Sequence, residues 1–143
     1  MLIKIKYAAG MEEIMQAHDG EWYDLRAAET VTMLSGDYRK ISLGVAMQLP
    51  EGYEAIVAPR SSTFEKYGII MVNGIGIIDN AFCGDEDVWS FPAYKLMGDP
   101  VTIKKNNRIA QFRILPQQEA CGLLRVDHLN GPNRGGFGST GVK

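Results

Sequence analysis

The sequence predicts an all-β domain, a sandwich or a barrel, with one short helix. Short apolar stretches alternate with turns about every 8 to 12 residues. Helical spacing appears only in two short stretches, and no internal repeat or coiled-coil heptad breaks the cadence. With 143 residues, the chain suits one domain that buries a core without metal or disulfide support.

In order along the chain, residues 2–7 alternate at the period of a strand, with Leu2, Lys4 and Lys6 on one face and Ile3, Ile5 and Tyr7 on the other. Met11, Ile14, Met15 and His18 recur at helical spacing and predict one or two turns, with His18 at the surface. Asp19-Gly20 marks a turn, and residues 22–28 enter a strand that carries Asp24 directly after two aromatics. An apolar run over 39–47 ends at Leu49-Pro50-Glu51-Gly52, where Pro presets φ and Gly closes the turn. Residues 53–58 return as a strand. Ser62-Thr63-Phe64-Glu65 fits a capping box and Gly68 a left-handed stop, so the helix falls within 61–68. Asn73-Gly74, between the apolar stretches 69–72 and 75–78, predicts a type I′ hairpin, whose central positions both need φ > 0. Strands are expected over 88–96, 101–103, 108–115 and 123–126, and Pro92 places its strand at an edge or a bulge.

A formal net charge of −2 gives no basic surface for a nucleic-acid backbone. Any phosphate chemistry then concerns a small phosphate bound locally. Cys83 and Cys121 are too few for a disulfide framework and lack metal-ligand spacing, which predicts two buried or idle thiols in a reducing, cytoplasmic setting. The first ten residues, MLIKIKYAAG, do not form a signal-peptide core, and no run reaches transmembrane length.

Three stretches bear on chemistry. Asp79 stands where the predicted hairpin ends, either a catalytic carboxylate on a stiff support or a simple turn residue. Arg60, Ser61 and Ser62 meet the helix N-terminus, which reads as a small-phosphate site or as a capped connector with a surface arginine. Residues 130–143, NGPNRGGFGSTGVK, are too poor in apolar groups to fold alone. Phe137 among glycines suits a flap that lays an aromatic on a ring while backbone N–H groups close on phosphates, although the stretch does not match the P-loop pattern.

Together these pieces resemble the trimeric dUTPases over nearly the whole chain, with five motifs in the family's order. Tyr23-Asp24-Leu25-Arg26-Ala27 resembles the first, with Trp22 in place of a usual glycine. Pro59-Arg60-Ser61-Ser62, continuing to Lys66-Tyr67-Gly68-Ile69, resembles the second. Gly76-Ile77-Ile78-Asp79 with Phe82 and Gly84 resembles the third, Arg108-Ile109-Ala110-Gln111 the fourth, and the stretch from Gly135 through Phe137 to Gly141 the fifth.

The resemblance implies a jelly-roll-like β-barrel over residues 1–129, a mobile Gly-rich arm over 130–143, and a homotrimer with active sites shared between subunits. It implies Mg²⁺-dependent hydrolysis of dUTP to dUMP and pyrophosphate, which keeps uracil out of DNA and supplies dUMP for thymidylate synthesis. Carried over by position, Asp79 would be the catalytic base for the water that attacks the α-phosphorus. Asn73, Gly76 and Ile78 would read the uracil, and Phe82 would pack on the deoxyribose. Arg60, Ser61, Ser62 and Gln111 would hold phosphate oxygens, with Asp24 reaching Mg²⁺ through water. Phe137 would stack on the base, and Ser139 and Thr140 would close on the β- and γ-phosphates.

The departures are local. Ala81, Phe82 and Cys83 stand where the family usually has an acidic residue, a tyrosine and an arginine. Pro132 occupies the usual arginine position of the tail, so Arg134 is the residue expected to take the γ-phosphate. Asn106 and Asn107 replace a turn glycine. Two other readings share the fold: a nucleotide-sensing interaction protein, and a dCTP deaminase. The deaminase would need a glutamate at the position of Trp89.

Overall fold

The computed structural model describes residues 1–15, 19 and 21–136. Its strands are β1 (Lys4–Tyr7), β2 (Tyr23–Arg26), β3 (Val31–Met33), β4 (Tyr38–Ser42), β5 (Val45–Gln48), β6 (Tyr53–Pro59), β7 (Ile69–Met71), β8 (Gly76–Ile78), β9 (Ser90–Lys95), β10 (Val101–Ile103) and β11 (Arg108–Pro116), with the helix α1 (Thr63–Tyr67) between β6 and β7. All pairings are antiparallel. They form a four-stranded sheet in the order β2-β11-β6-β8, a three-stranded sheet β4-β9-β7, and the pairs β1-β5 and β3-β10.

One core lies between these ladders. Leu25, Ile41, Leu43, Trp89, Phe91, Ile103, Ile109 and Phe112 are buried in a common cluster. At about 1.5–3 kcal/mol per large apolar side chain, this burial is the main term favouring the fold. Trp89 meets Phe112 edge-on, and Phe112 stacks on Tyr23 next to Asp24. The aromatic column thus braces the strand that carries the first candidate carboxylate.

The expected hairpin does not form. The strands on either side of Asn73-Gly74 pair elsewhere, β7 with β9 and β8 with β6, so this corner carries the chain from one sheet to another. Only Gly74 has positive φ, at 70°, and Asn106 at 68° is the one such non-glycine among the described residues. A type I′ turn needs both central residues there, and the demand lapses once the flanking strands part company. The apolar run over 39–47 divides for a similar reason, because β4 joins β9 and β5 joins β1.

Other local expectations change with tertiary context. Residues 11–15 form no helix, since the Glu12 and Ile14 N–H groups donate to distant Asn106 Oδ1 and Tyr7 Oη. Residues 123–126 form no strand and find no partner strand in this chain. Pro92 lies in the central strand β9, not at an edge. Its carbonyl accepts from Val72 N–H just beyond the last β7-β9 pair, Met71↔Ala93, so the missing N–H falls where that ladder has ended. The three-residue β3 was too short to stand out in the sequence.

Helix α1 ends as expected at Gly68, which has φ 61° and donates its N–H to the Phe64 carbonyl. A Cβ there would meet Lys95 Nζ at 2.5 Å and the Met97 carbonyl oxygen at 2.8 Å. Lys95, only 3% exposed, donates to that same carbonyl. Gly68→Ala therefore combines a left-handed backbone with a main-chain clash and is expected to lower stability by about 2 kcal/mol or more, measured by urea unfolding.

Candidate active site

Cross-strand register assembles the first part of the site. Asp24 on β2 pairs with Gln111 on β11, which pairs with Ala58 on β6, so the three share one row and one face. Arg60 follows two residues beyond Ala58, and its Nε lies 2.6 Å from Asp24 Oδ1. Gln111 Nε2 donates to the Pro59 carbonyl at 3.0 Å, which fixes its amide beside the same turn.

Arg108 also reaches this carboxylate, with Nη1 at 3.0 Å from Asp24 Oδ2. In a regular strand, residues 108 and 111 would face opposite ways. A bulge changes that, because Arg108 pairs with Arg26 and Ala110 with Leu25, leaving Ile109 as the extra residue. Ile109 and its neighbour Ala110 are both fully buried, and Arg108 emerges on the face of Gln111. The sequence reading missed Arg108 as a site residue although it heads the fourth motif, since strict alternation sends it to the wrong face.

The start of α1 departs from the expected capping box. Ser62 is the N-cap residue, yet its side chain makes no capping bond. Instead, the Arg60 N–H donates to Thr63 Oγ1 at 3.1 Å, while Thr63 N–H donates to the Arg60 carbonyl. The Ser61 and Ser62 hydroxyls have no hydrogen bond among the described residues.

Asp79 lies elsewhere in the chain. The β6-β8 register pairs Ala55 with Ile78, so Asp79 leaves the sheet beside Glu54, six positions from Arg60 along β6. At strand rise that is roughly 20 Å. Asp79 is exposed, and its Oδ1 accepts the N–H groups of Ala81 (2.9 Å) and Phe82 (3.2 Å). This turn aims the carboxylate and leaves Oδ2 without a partner among the described residues.

Around Asp79, Gly76 fits close against Val57, Ile78 is half-buried and Phe82 is 39% exposed. Asn73 is exposed at the corner between the sheets. The candidate residues therefore fall into two separate groups, Asp24, Arg60, Arg108 and Gln111 in one, and Asn73, Gly76, Ile78, Asp79 and Phe82 in the other. Arg134 lies in an exposed stretch without strand or helix. Phe137, Ser139 and Thr140 lie outside the described residues, as does His18.

The dUTPase family model matches residues 20–141. The chain belongs to the dUTPase family. It is 49% identical over 144 residues to the SPbeta prophage-derived deoxyuridine 5'-triphosphate nucleotidohydrolase YosS of Bacillus subtilis, covering 100% of both chains. Among solved structures, a mutant of the Staphylococcus bacteriophage 80alpha dUTPase with dUpNHpp superposes with a TM-score of 0.82 at 21% identity, covering 99% of each chain. A mutant dUTPase from phage phi11 of S. aureus, solved for the coordination of a structural Mg(II) ion, gives 0.76 at 18% identity, over 92% of this chain and 100% of that one. These likenesses identify the jelly-roll-like dUTPase fold.

The donor set tests the family's metal. Among the described residues no three His, Cys, Asp or Glu side chains gather to hold an ion. Asp24 has both oxygens on guanidinium groups but keeps further lone pairs. A carboxylate with lone pairs to spare can accept hydrogen bonds from the waters of a hydrated ion, a contact that suits Mg²⁺.

With the Asp24 side chain 30% exposed and both arginines reachable by solvent, the two ion pairs orient groups more than they stabilise the fold. Asp24→Asn is expected to change unfolding free energy by no more than about 1 kcal/mol, read from urea midpoints at matched ionic strength.

Proposed function

We propose a division of labour between two half-sites for the hydrolysis of dUTP to dUMP and pyrophosphate. The observation that carries it is Asp79, with one oxygen held by two backbone N–H groups and the other free. That free oxygen holds a water, takes its proton as it attacks the α-phosphorus, and so drives out pyrophosphate as the bond to the bridging oxygen breaks. Asn73, Gly76 and Ile78 read the uracil edge. Phe82 packs on the deoxyribose, where a 2′-hydroxyl would lack room or a partner.

Arg60, Ser61, Ser62, Gln111 and Arg108 hold the phosphate chain, and the unengaged hydroxyls beside Arg60 support that assignment. Bound Mg²⁺ supplies charge neutralisation on the phosphates, and Asp24 steadies its water shell. Arg134 takes the γ-phosphate, Phe137 covers the base, and Ser139 and Thr140 close on the β- and γ-phosphates, so residues 130–143 act as an arm on the 1–129 domain. Two free cysteines suit a reducing cytoplasm, and no helix among the described residues is long and apolar enough to cross a membrane.

A backbone separation of roughly 20 Å within one chain is long for residues that share one triphosphate, which supports half-sites that meet between copies. A homotrimer with three shared sites is the assembly we assign. Residues 117–136 support it: they lack a partner strand and expose Leu123 (96%), Leu124 (86%) and Leu129 (87%), apolar surface suited to a neighbour. A deaminase reading is disfavoured because Trp89 is a core residue, 1% exposed. A purely sensing protein has no need of a free carboxylate aimed by its own turn.

Asp79→Asn should keep dUTP binding while turnover falls about 10²–10⁴-fold, measured as pyrophosphate release. A near-parental rate would remove Asp79 from the mechanism. Mixing refolded Asp79→Asn chains with Arg60→Ala chains should restore part of the activity, since mixed assemblies contain sites with both groups intact. No recovery in co-assembled chains, or a stable monomer on sizing, would contradict shared sites.

A further inference from the structure

Two polar or charged side chains are buried among the described residues, Thr63 and Lys95, and they sit at opposite ends of α1. Lys95 is accounted for by the closing turn, where its ammonium donates to the Met97 carbonyl against Gly68. Thr63 does something different. Its hydroxyl, on a residue 1% exposed, accepts the Arg60 N–H at 3.1 Å and donates to the Ile109 carbonyl at 2.9 Å.

Both partners matter for Asp24. Arg60 sends its Nε to one oxygen of that carboxylate, and Ile109 is the bulge residue that turns Arg108 toward the other. One hydroxyl therefore joins the two backbone points from which both guanidinium groups spring. It is a donor and an acceptor at once, which no apolar side chain of the same shape can be. Burial leaves little room for water to substitute, so losing the hydroxyl leaves a main-chain N–H and a carbonyl unpaired.

We propose that Thr63 is a positioning residue that sets the spacing of Arg60 and Arg108 across Asp24. Ser62, the N-cap residue of α1, makes no side-chain capping bond, so its hydroxyl is available to a phosphate oxygen. The activity part of this inference rests on the dUTP reading above; the geometric part does not.

The test compares Thr63→Val, which keeps the shape, with Thr63→Ser, which keeps the hydroxyl. Three readouts are taken: kcat and KM for dUTP with Mg²⁺, the Arg60 Nε–H resonance assigned by its loss in Arg60→Lys, and amide hydrogen exchange at Arg60 in the unmodified protein. The Arg60 amide should be protected. Thr63→Val should shift or broaden the Arg60 Nε–H signal and lower kcat about tenfold to a hundredfold in protein that still assembles, while Thr63→Ser recovers both.

An unprotected Arg60 amide overturns the proposal. So does a valine variant with parental kcat and resonance, or a serine variant as impaired as the valine one. Should Thr63→Val not fold, the exchange measurement and Thr63→Ser still decide. If the unmodified protein leaves dUTP intact, the functional reading fails, and the Arg60 resonance alone judges the role of Thr63.

Discussion

The pairing of β8 with β6 is the constraint from which the rest of the site follows. Ala55 opposite Ile78 fixes where Asp79 leaves the sheet, and the unbroken run of β6 fixes where Arg60 begins. Arg60 follows one end of β6 while Asp79 leaves β8 beside the other end, so the sheet holds them apart. If the two groups serve one substrate, as proposed, the chemistry is tied to association in a way that a site gathered on one loop cluster would not be.

Each half is organised by backbone irregularity. In one, the Ile109 bulge breaks the alternation of β11 so that Arg108 and Gln111 face the same carboxylate. In the other, the chain abandons its ladder after Ile78 and folds two N–H groups onto Asp79 Oδ1. Regular strands would have scattered these groups over both faces. The regular part of the fold supplies stiffness through the Trp89, Phe112 and Tyr23 column, while the irregular residues supply direction.

What could be read from the sequence divides along the same line. Short apolar stretches bounded by turn residues located strands such as β6, β10 and β11 well. Gly68 as the helix stop, and Asn106 as a left-handed turn residue, were legible from single-residue conformational preference. Partner choice was not. Asn73-Gly74 has every local mark of a hairpin, but β9 and β6 capture its two arms. Residues 123–126 have the composition of a strand and no partner in their own chain. The Asp24-Arg60 neighbourhood came from motif resemblance, whereas Arg108 depended on a one-residue register slip invisible to composition.

Charge explains why geometry must carry so much here. Asp24, Arg60 and Arg108 contribute −1, +1 and +1, a local sum of only +1, on a chain whose formal net charge is −2. Bulk attraction therefore does little to draw in a polyphosphate. The carboxylate that holds the two guanidinium groups also offsets one of them, so the trio trades field strength for fixed orientation. Pre-set donors lose little entropy when a phosphate arrives, and a weak field discriminates poorly among anions, so selection must come from contacts other than bulk charge.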